Sequence, residues 1–410
     1  MLKISELVTL AVLTVPVMAV EPLRLDTDNI KWEMTRYSSI VTRDGKRYIQ
    51  VRVPRDARDL DNQNCAFFDV DLGPFSGYDL EFSVKVRGRN ISEPAHGYNG
   101  GKVMLYCRDR SNLEYWSGAK VPRGTFDWTL VKGLTMVPKG AHSGRFRLGL
   151  QESSGEIEFD LSSFQLGVPE VEEEELLPVA PEMEKELALI ESRMRDALLA
   201  ISPVSAAEAR KLLAAQRPDG RFAGIDYQDD NRSVWRVARH LGNTLSLARV
   251  WASPGHELYH DKAIGEAVQK AVAWWGKVRP RSSNWWWNDM SIPQTMGNIL
   301  LLAPELFPAG EVRSNALAVC RQARFLSRYT GNNRVFIAQN IFRRALLERN
   351  VAPLSRAAGV IAEEIRMAPV EDKTGWAFGG IRADGCYHQH GPQIQFGNYG
   401  GEFFANVGYL

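Results

Sequence analysis

Apolar and polar residues alternate along the first part of the chain, in short runs separated by Gly, Pro, Asn and Asp. The clearest runs are residues 46–53 (KRYIQVRV), 78–86 (YDLEFSVKV), 145–150 (RFRLGL) and 156–161 (EIEFDL). Because successive side chains of a strand point to opposite faces, this spacing predicts strands buried on one face. Several such runs predict an antiparallel β-sandwich of the jelly-roll type over residues 20–168.

The apolar period becomes helical after residue 182. The predicted helices are 183–201, 205–216, 232–251, 263–278, 310–330, 334–350 and 353–367. Short loops place successive helices antiparallel, so residues 183–410 are expected to form stacked helix hairpins. The acidic, proline-flanked residues 169–182 predict an extended linker between the two domains.

The N-terminus has the features of a secretory signal peptide. Lys3 precedes an apolar run over residues 7–17, and Ala19 offers a small-residue cleavage site. Residues 1–19 are therefore predicted to be removed, and the mature protein to be secreted or periplasmic. A buried N-terminal strand or helix is the alternative interpretation.

Charge and cysteine usage exclude several classes of protein. The 410 residues contain 50 Lys and Arg against 49 Asp and Glu, a formal net charge of +1. This balance predicts neither a nucleic-acid nor a membrane partner, and a monomer is expected. The four cysteines lack the C-x-x-C spacing of zinc and redox sites, so no cofactor is predicted, although a structural calcium ion stays open. Cys65 and Cys107 are either a disulfide or buried thiols.

Three adjacent tryptophans stand out at residues 285–287. Consecutive side chains diverge on a helix or strand, so at least one indole is expected to be exposed or to line a cleft. Indole faces stack on sugar rings, although packing in a core explains such a run equally well. Tyr115 and Trp116 form a second candidate platform, for which ordinary packing is the main alternative.

A glycine-rich stretch, residues 375–400, brings candidate catalytic groups together. His390 and Tyr399 supply an imidazole and a phenol between turn-forming glycines. Such a pair suits a base and an acid that share one site. The alternative is a turn-rich loop with a structural histidine and a packed tyrosine.

Three separated motifs resemble polysaccharide lyase family 8, which includes hyaluronate, chondroitin AC and xanthan lyases. They are N-W-W-x-x-[DE]-x-x-x-P at 284–293, T-G-x-N at 330–333, and D-G-C-Y-H-Q-H-G-P-Q at 384–393 followed by N-Y-G at 398–400. The resemblance spans roughly residues 284–410. It implies an incomplete α/α toroid with a long cleft for an anionic, uronic-acid-containing polysaccharide.

The family resemblance also implies a reaction, β-elimination across the bond to the C4 oxygen of a uronic acid. Asn333 matches the asparagine that neutralises the substrate carboxylate. Tyr399 matches the residue that removes the C5 proton and returns it to the leaving oxygen, with His390 assisting. By its position alone, an asparagine here would instead cap the following helix.

The remaining implied residues bind substrate. Trp285 and Trp286 match the family's aromatic patch, and Asn284 is expected at the edge of the cleft. Arg334, beside the carboxylate-binding asparagine, is expected either to assist it or to be a solvated helix residue.

The sequence departs from the family pattern in two ways. Asp289 and Ile292 stand where the family usually has Glu and Thr. The family's catalytic arginines and an orienting glutamate lie beyond the helix that Tyr399 begins, so we expect the chain ending at Leu410 to be a truncated lyase. Arg382 is the only arginine close in sequence to the His/Tyr pair.

Two other functions compete with the lyase. The sandwich and tryptophans would also suit a carbohydrate-binding protein without catalysis. An inverting glycoside hydrolase would need two opposed carboxylates, for which Asp289, Asp384 and Glu402 are available but match no hydrolase motif.

Overall fold

The architecture is taken from a computed structural model of the chain. It describes residues 23–24, 30–58, 60, 63–108, 112–138, 140–169, 177–326, 329–367, 379–389 and 394–408. The predicted signal peptide lies outside these residues.

Thirteen strands are present in the described ranges, eleven of them before residue 168. In chain order they are β1 (Leu23–Arg24), β2 (Glu33–Met34), β3 (Ser38–Arg43), β4 (Lys46–Val53), β5 (Gln63–Asp71), β6 (Asp79–Ile91), β7 (Gly100–Arg108), β8 (Glu114–Gly118), β9 (Gly124–Met136), β10 (Ser143–Gln151), β11 (Gly155–Gly167), β12 (Gly380–Ile381) and β13 (Tyr387–His388).

The first eleven strands form two antiparallel sheets that face each other. Sheet A has the order β3-β4-β11-β6-β9, with β1 also paired to β11, and sheet B has the order β2-β5-β10-β7-β8. Inner-face side chains of the two sheets are in contact, because the rings of Phe82 in β6 and Phe146 in β10 lie 5.2 Å apart. The pairing of strands far apart in sequence confirms the predicted sandwich of jelly-roll type.

Alternation explains which strand residues form this core. Along β4, Ile49, Val51 and Val53 are buried, whereas the intervening Arg52 is exposed. β4 therefore has the bounds that the pattern predicts. The cysteine alternative is also resolved, because Cys65 and Cys107 are both buried thiols and do not form a disulfide.

The rest of the described chain is mainly helical. The helices are α1 (Glu184–Leu199), α2 (Ala206–Ala215), α3 (Arg239–Ala252), α4 (Lys262–Val278), α5 (Ile292–Leu302), α6 (Glu311–Cys320), α7 (Asn332–Glu348), α8 (Val351–Glu364) and α9 (Gly401–Gly408). None of the described helices is both long and apolar enough to span a membrane.

Successive helices pack as hairpins around a second core. Helix α3 packs on α4 and α5, α5 on α6 and α7, and α7 on α8. Fully buried side chains such as Trp275, Leu241 and Ile299 fill the space between them. This arrangement agrees with the predicted incomplete α/α toroid of antiparallel helix hairpins.

Three helix predictions need correction. The helix predicted over 232–251 begins only at Arg239, after a 3-10 turn at Arg236–Ala238. Helix α5 was not predicted, since nine of its eleven residues are buried and it has no polar face to give a helical period. The prediction of a helix over 310–330 was too long. Helix α6 ends at Cys320, and the guanidinium of Arg324 then pairs with the buried Asp79 of β6 at 3.1 Å.

The sandwich and the helices meet close to the tryptophan stretch. The Arg281 Nε donates to the carbonyl of Gly77 at 2.6 Å, and the Asn288 Nδ2 lies 3.5 Å from the Met136 sulfur. Near the predicted linker, the Leu177 N–H donates to the Asn350 side chain at 3.1 Å. The domain boundaries at residues 168–169 and 182–183 stay predictions.

Candidate active site

The tryptophan stretch lies where a loop enters helix α5. A π-helical turn, Trp287–Ser291, leads directly into α5. Trp286 is 37% exposed, whereas Trp285 and Trp287 pack partly against the helical core. The expectation that at least one indole is exposed is therefore confirmed. Turns of this type occur often at functional sites.

Asn284 orders the start of this stretch. Its Oδ1 accepts a hydrogen bond from the Trp286 N–H at 3.0 Å, and its Nδ2 donates to the Arg232 carbonyl at 3.2 Å. Both polar atoms of the side chain thus have protein partners. Its predicted place at the edge of a substrate cleft stays a prediction.

Tyr329 connects the tryptophan stretch to the start of helix α7. Its ring lies 5.4 Å from the Trp285 ring, and its hydroxyl donates to the Asp289 carboxylate at 2.5 Å. Tyr329 is almost fully buried and immediately precedes the T-G-N-N motif. The first two motifs of the sequence analysis are therefore in contact.

The start of helix α7 is built around Gly331. Its backbone has φ +57°, and a Cβ placed there would lie 2.4 Å from Gln389 Oε1 and 2.7 Å from the Tyr387 hydroxyl. Glycine is required because only it combines this conformation with so close an approach. The Asn332 N–H donates to the Tyr387 hydroxyl at 2.6 Å, and the Gly331 N–H donates to Glu364 at 3.0 Å.

These contacts correct the expectation that an asparagine side chain caps the helix. The N-cap is Gly331, which has no side chain to bond to the helix. Asn333 is the second helical residue. Side chains far away in sequence take the place of the cap. Helix N–H groups need partners, and Tyr387, Gln389 and Glu364 supply them.

The two neighbouring asparagines are used differently. Asn332 is buried, and its amide bonds to Glu402 at 3.2 Å and to Asn406 at 3.0 Å. The half-buried Asn333 side chain has no hydrogen-bond partner among the residues described. Asn332 therefore attaches helix α9 to α7, while the Asn333 amide has donors and an acceptor available for a ligand.

Tyr399 lies on the segment that Asn332 attaches. A second π-helical turn, Phe396–Gly400, carries it into α9 and is closed by a 2.7 Å bond from the Gly400 N–H to the Gln395 carbonyl. The Tyr399 side chain is half-buried at the edge of the helical core. His390 lies outside the described residues, so its predicted role stays a prediction.

The neighbouring Tyr387 has a structural position. It is fully buried, donates to Gln389 at 2.8 Å, and its ring lies 4.8 Å from the Phe403 ring of α9. Burial raises its pKa well above the ordinary value for a phenol. Tyr387 therefore stays neutral and keeps the donor that its hydrogen-bond network needs.

Arg334 is engaged by carboxylates. Its guanidinium pairs with Glu364 at 2.7 Å and with Glu363 at 2.9 Å. Partial burial disfavours the charged form, but the hydrogen bonds to these two carboxylates outweigh it and raise the pKa of Arg334. Arg334 orders the α7–α8 contact, and its predicted assistance in substrate binding is not tested by these contacts.

The carboxylates considered for a glycoside hydrolase all have local partners. Asp289 is buried against Tyr329, Glu402 bonds to Asn332, and Asp384 accepts the Cys386 N–H in a turn. That last bond lowers the pKa of Asp384. Each acid has a separate structural environment, which gives no support to a hydrolase pair.

Sequence reasoning did not predict the contacts that assemble the site, although Tyr387 and Gln389 lie within the third motif. Tyr329, Tyr387, Gln389 and Glu364 act through tertiary contacts, and nothing in their local sequence indicates a partner. His388 is a further case, because both of its ring nitrogens are buried without a partner among the residues described. Its place in a polar motif was visible, but its burial was not.

Comparison with known proteins decides the family. A profile of the polysaccharide lyase family 8 N-terminal alpha-helical domain matches residues 182–410, more than half of the chain. The chain belongs to polysaccharide lyase family 8. The sequence-based recognition is thus confirmed, and the matched region contains all three motifs.

Individual relatives of this family 8 chain match over shorter spans. Chondroitinase-AC of Pedobacter heparinus is 30% identical over 200 residues, which cover 48% of this chain and 28% of that protein. The chain therefore spans less than a third of that relative's length.

Two solved structures of similarly named lyases also match part of this chain. A chondroitinase AC lyase studied with oligosaccharides is 28% identical, with a TM-score of 0.49, over 55% of this chain and 32% of that chain. A chondroitin AC lyase of Streptomyces coelicolor A3, in complex with chondroitin sulphate, is 17% identical, with a TM-score of 0.41, over 58% and 30%.

Proposed function

We propose that the protein is an exported lyase that cleaves a uronic-acid-containing polysaccharide of the glycosaminoglycan type by β-elimination. The observation that carries this proposal is the unpartnered amide of Asn333 at the start of α7, beside the segment that carries Tyr399. Family membership supplies the reaction class. The names of the relatives suggest chondroitin as the first substrate to test.

The chemistry requires stabilisation of negative charge at the substrate carboxylate. The C5 proton is weakly acidic because it is α to this group, and its removal builds an enolate-like dianion. The Asn333 amide can donate to the carboxylate oxygens as the charge grows. It also lies in the first turn of α7, where the positive end of the helix dipole favours an anion.

Proton transfer completes the elimination. A base takes the C5 proton, and the electron pair of the broken C5–H bond forms the C4=C5 double bond. The C4–O bond breaks, and the leaving oxygen receives a proton. We assign both transfers to Tyr399, with His390 assisting. A positioned acid or base of this kind contributes a factor of roughly 10²–10⁴ in rate.

Substrate positioning is assigned to the tryptophan stretch. The exposed face of Trp286 offers a surface for a sugar ring, and Trp285 contacts Tyr329 next to the T-G-N-N motif. A polymer bound along Trp286 would thus run toward the start of α7. Asn284 holds the backbone of this surface in place.

Ultraviolet absorbance of the unsaturated uronate tests the proposal. Hyaluronan, chondroitin sulfate and xanthan would each be incubated with the protein. An absorbance rise with one polymer supports elimination and identifies the substrate class. New reducing ends without absorbance would indicate hydrolysis and contradict the proposal, as would glycan binding without any product.

Export can be tested separately. It rests on the N-terminal pattern of Lys3, the apolar run over 7–17 and Ala19. We expect N-terminal sequencing of the protein recovered from the periplasm or medium to begin at Val20. Recovery of the intact N-terminus from the cytoplasm would contradict export.

A further inference from the structure

The outer face of sheet B carries a cluster of aromatic and arginine side chains, the sheet-B platform: Phe67, Tyr106, Trp116, Arg145 and Arg147. Strand register makes them neighbours, because Tyr106 is paired with both Trp116 and Arg145, and Arg147 is paired with Phe67. The rings of Tyr106 and Trp116 lie 4.3 Å apart, and Trp116 is 47% exposed. A large, ordered aromatic surface therefore faces away from the sandwich core.

The arginines of this platform differ in their partners. Arg145 pairs with Glu33 and, at 3.4 Å, with Asp69. Arg147 has no carboxylate partner within the described ranges, and its guanidinium lies 4.2 Å from the Trp116 ring. Partial burial lowers the pKa of Arg147, and nearby groups such as the Glu114 carboxylate offset this desolvation cost only in part.

The outer face of sheet A provides an internal comparison. It has the same residue types, with Arg87 4.8 Å from the Trp128 ring and Arg43 4.9 Å from the Tyr48 ring. Both arginines pair with the buried carboxylate of Glu158. These two cations of sheet A thus share a carboxylate partner, whereas Arg147 on sheet B has none within the described ranges.

The platform is connected to the tryptophan stretch of the candidate active site. Strand β8 carries Trp116 outward and the adjacent Tyr115 toward Arg232, whose guanidinium lies 4.8 Å from the Tyr115 ring. The Arg232 carbonyl accepts the 3.2 Å bond from Asn284. Arg232 is exposed and has no carboxylate partner in the part of the chain that the structure describes. Arg232 therefore contacts both β8, on the face opposite Trp116, and the start of the tryptophan stretch.

We propose that the sheet-B platform, with Arg232, is an accessory binding surface for an acidic polysaccharide and extends the substrate path beyond the tryptophan stretch. The ligand class rests on the proposed function. Sugar rings stack on Trp116, and carboxylate or sulfate groups of the polymer approach Arg147 and Arg232. Aromatic faces stack on sugar rings, and unpaired guanidinium groups bind carboxylate or sulfate groups. The two together therefore fit an anionic glycan.

The test is affinity electrophoresis through gels that contain hyaluronan, chondroitin sulfate or a neutral glucan. All variants would carry Tyr399→Phe to prevent turnover. We expect Trp116→Ala and Arg147→Gln each to weaken binding of an acidic polymer by about tenfold. Trp128→Ala, the matched change on sheet A, is expected to leave retention unchanged, and thermal unfolding would verify that all variants are folded.

The outcomes separate this proposal from the catalytic one. Retention by hyaluronan shows that carboxylates suffice, and retention by chondroitin sulfate alone shows that sulfate is required. Unchanged retention in both folded platform variants, equal loss in Trp128→Ala, or equal retention by the neutral glucan would overturn the platform. If wild-type protein yields no unsaturated product while the platform variants lose binding, elimination fails and the platform stands.

Discussion

Two polar clusters in the helical region are each centred on a tyrosine hydroxyl. They differ in the polar side chains that lie beside the tyrosine. In the first, the Tyr227 hydroxyl accepts the Phe222 N–H at 2.9 Å and lies 2.9 Å from His240 Nδ1. The other ring nitrogen of His240 lies 3.0 Å from the Ala271 carbonyl. Each of these polar groups has a protein partner, and the histidine is fully buried.

The second cluster is the one at the start of α7. There the Tyr387 hydroxyl likewise accepts a backbone N–H, from Asn332, and bonds to Gln389. It adjoins Asn333, whose amide has no partner among the described residues, and the segment of Tyr399. A tyrosine hydroxyl with protein partners is thus structural in both clusters, and the candidate chemistry lies in the half-buried residues beside Tyr387.

The largest effect is expected from replacing Asn333, which tests the difference between the two clusters. Asn333→Ala removes the donor to the substrate carboxylate, so we expect the rate of elimination to fall by roughly 10²–10³. Because the native amide has no partner in the described structure, the free energy of unfolding should change by less than about 0.5 kcal/mol. Product absorbance and chemical denaturation measure the two quantities.

Asn332→Ala is the matched control. Its amide bonds to Glu402 and Asn406, so its loss should destabilise the protein by roughly 1–3 kcal/mol. Full activity in folded Asn333→Ala would remove Asn333 from the chemistry. So would an unfolding free energy that falls as far as in Asn332→Ala, since Asn333 would then be structural.

The second largest effect is the pH dependence of stability that arises from His240 in the first cluster. Burial lowers the pKa of His240 from 6.5 to about 4. The unfolded chain therefore binds a proton before the folded protein does, so stability is full above pH 6.5 and falls as the pH decreases toward 4. The loss should approach roughly 3 kcal/mol, measured as the unfolding free energy between these pH values.

His240→Phe isolates this contribution. It keeps a ring beside Phe222 and Trp274 but removes the titrating group. We expect lower stability at pH 7 and a flatter dependence on pH. An unchanged slope between pH 6.5 and 4 would show that other groups control the acid sensitivity.

The smallest effect is that of Tyr227→Phe. It removes the hydroxyl shared by Phe222 and His240, which should cost roughly 1–2 kcal/mol of unfolding free energy. The rate of product formation should not change, because this cluster has no role in the proposed chemistry. Denaturation and the absorbance assay on the same sample provide both values.

The sandwich shows how far the pattern of residues predicts the fold. β4 has its predicted bounds, with apolar residues at every second position from 49 to 53, whereas β6 extends to Ile91, beyond the predicted end at residue 86. Its pairing register with β9 shifts between Val86 and Gly88. Such an irregularity interrupts the period of two on which the prediction depends.

Several residues of the candidate site could be predicted from the sequence, but the contacts that bring them together could not. Asn333, Tyr399 and the tryptophans were identified from motifs, whereas Tyr329 lies outside the motifs and Gln389, although inside the third one, had no predicted role. Their contacts join segments tens of residues apart, and a single sequence contains no signal of such pairing. For the same reason Gly331, rather than an asparagine, is the cap of α7.

The most direct test of the account compares Tyr399→Phe with Tyr227→Phe, which remove one hydroxyl each. Both would be assayed for unsaturated product with the polymer that wild-type protein cleaves. The account predicts that Tyr399→Phe loses elimination by roughly 10³ or more while Tyr227→Phe keeps it. Persistent product formation in folded Tyr399→Phe would contradict the central claim.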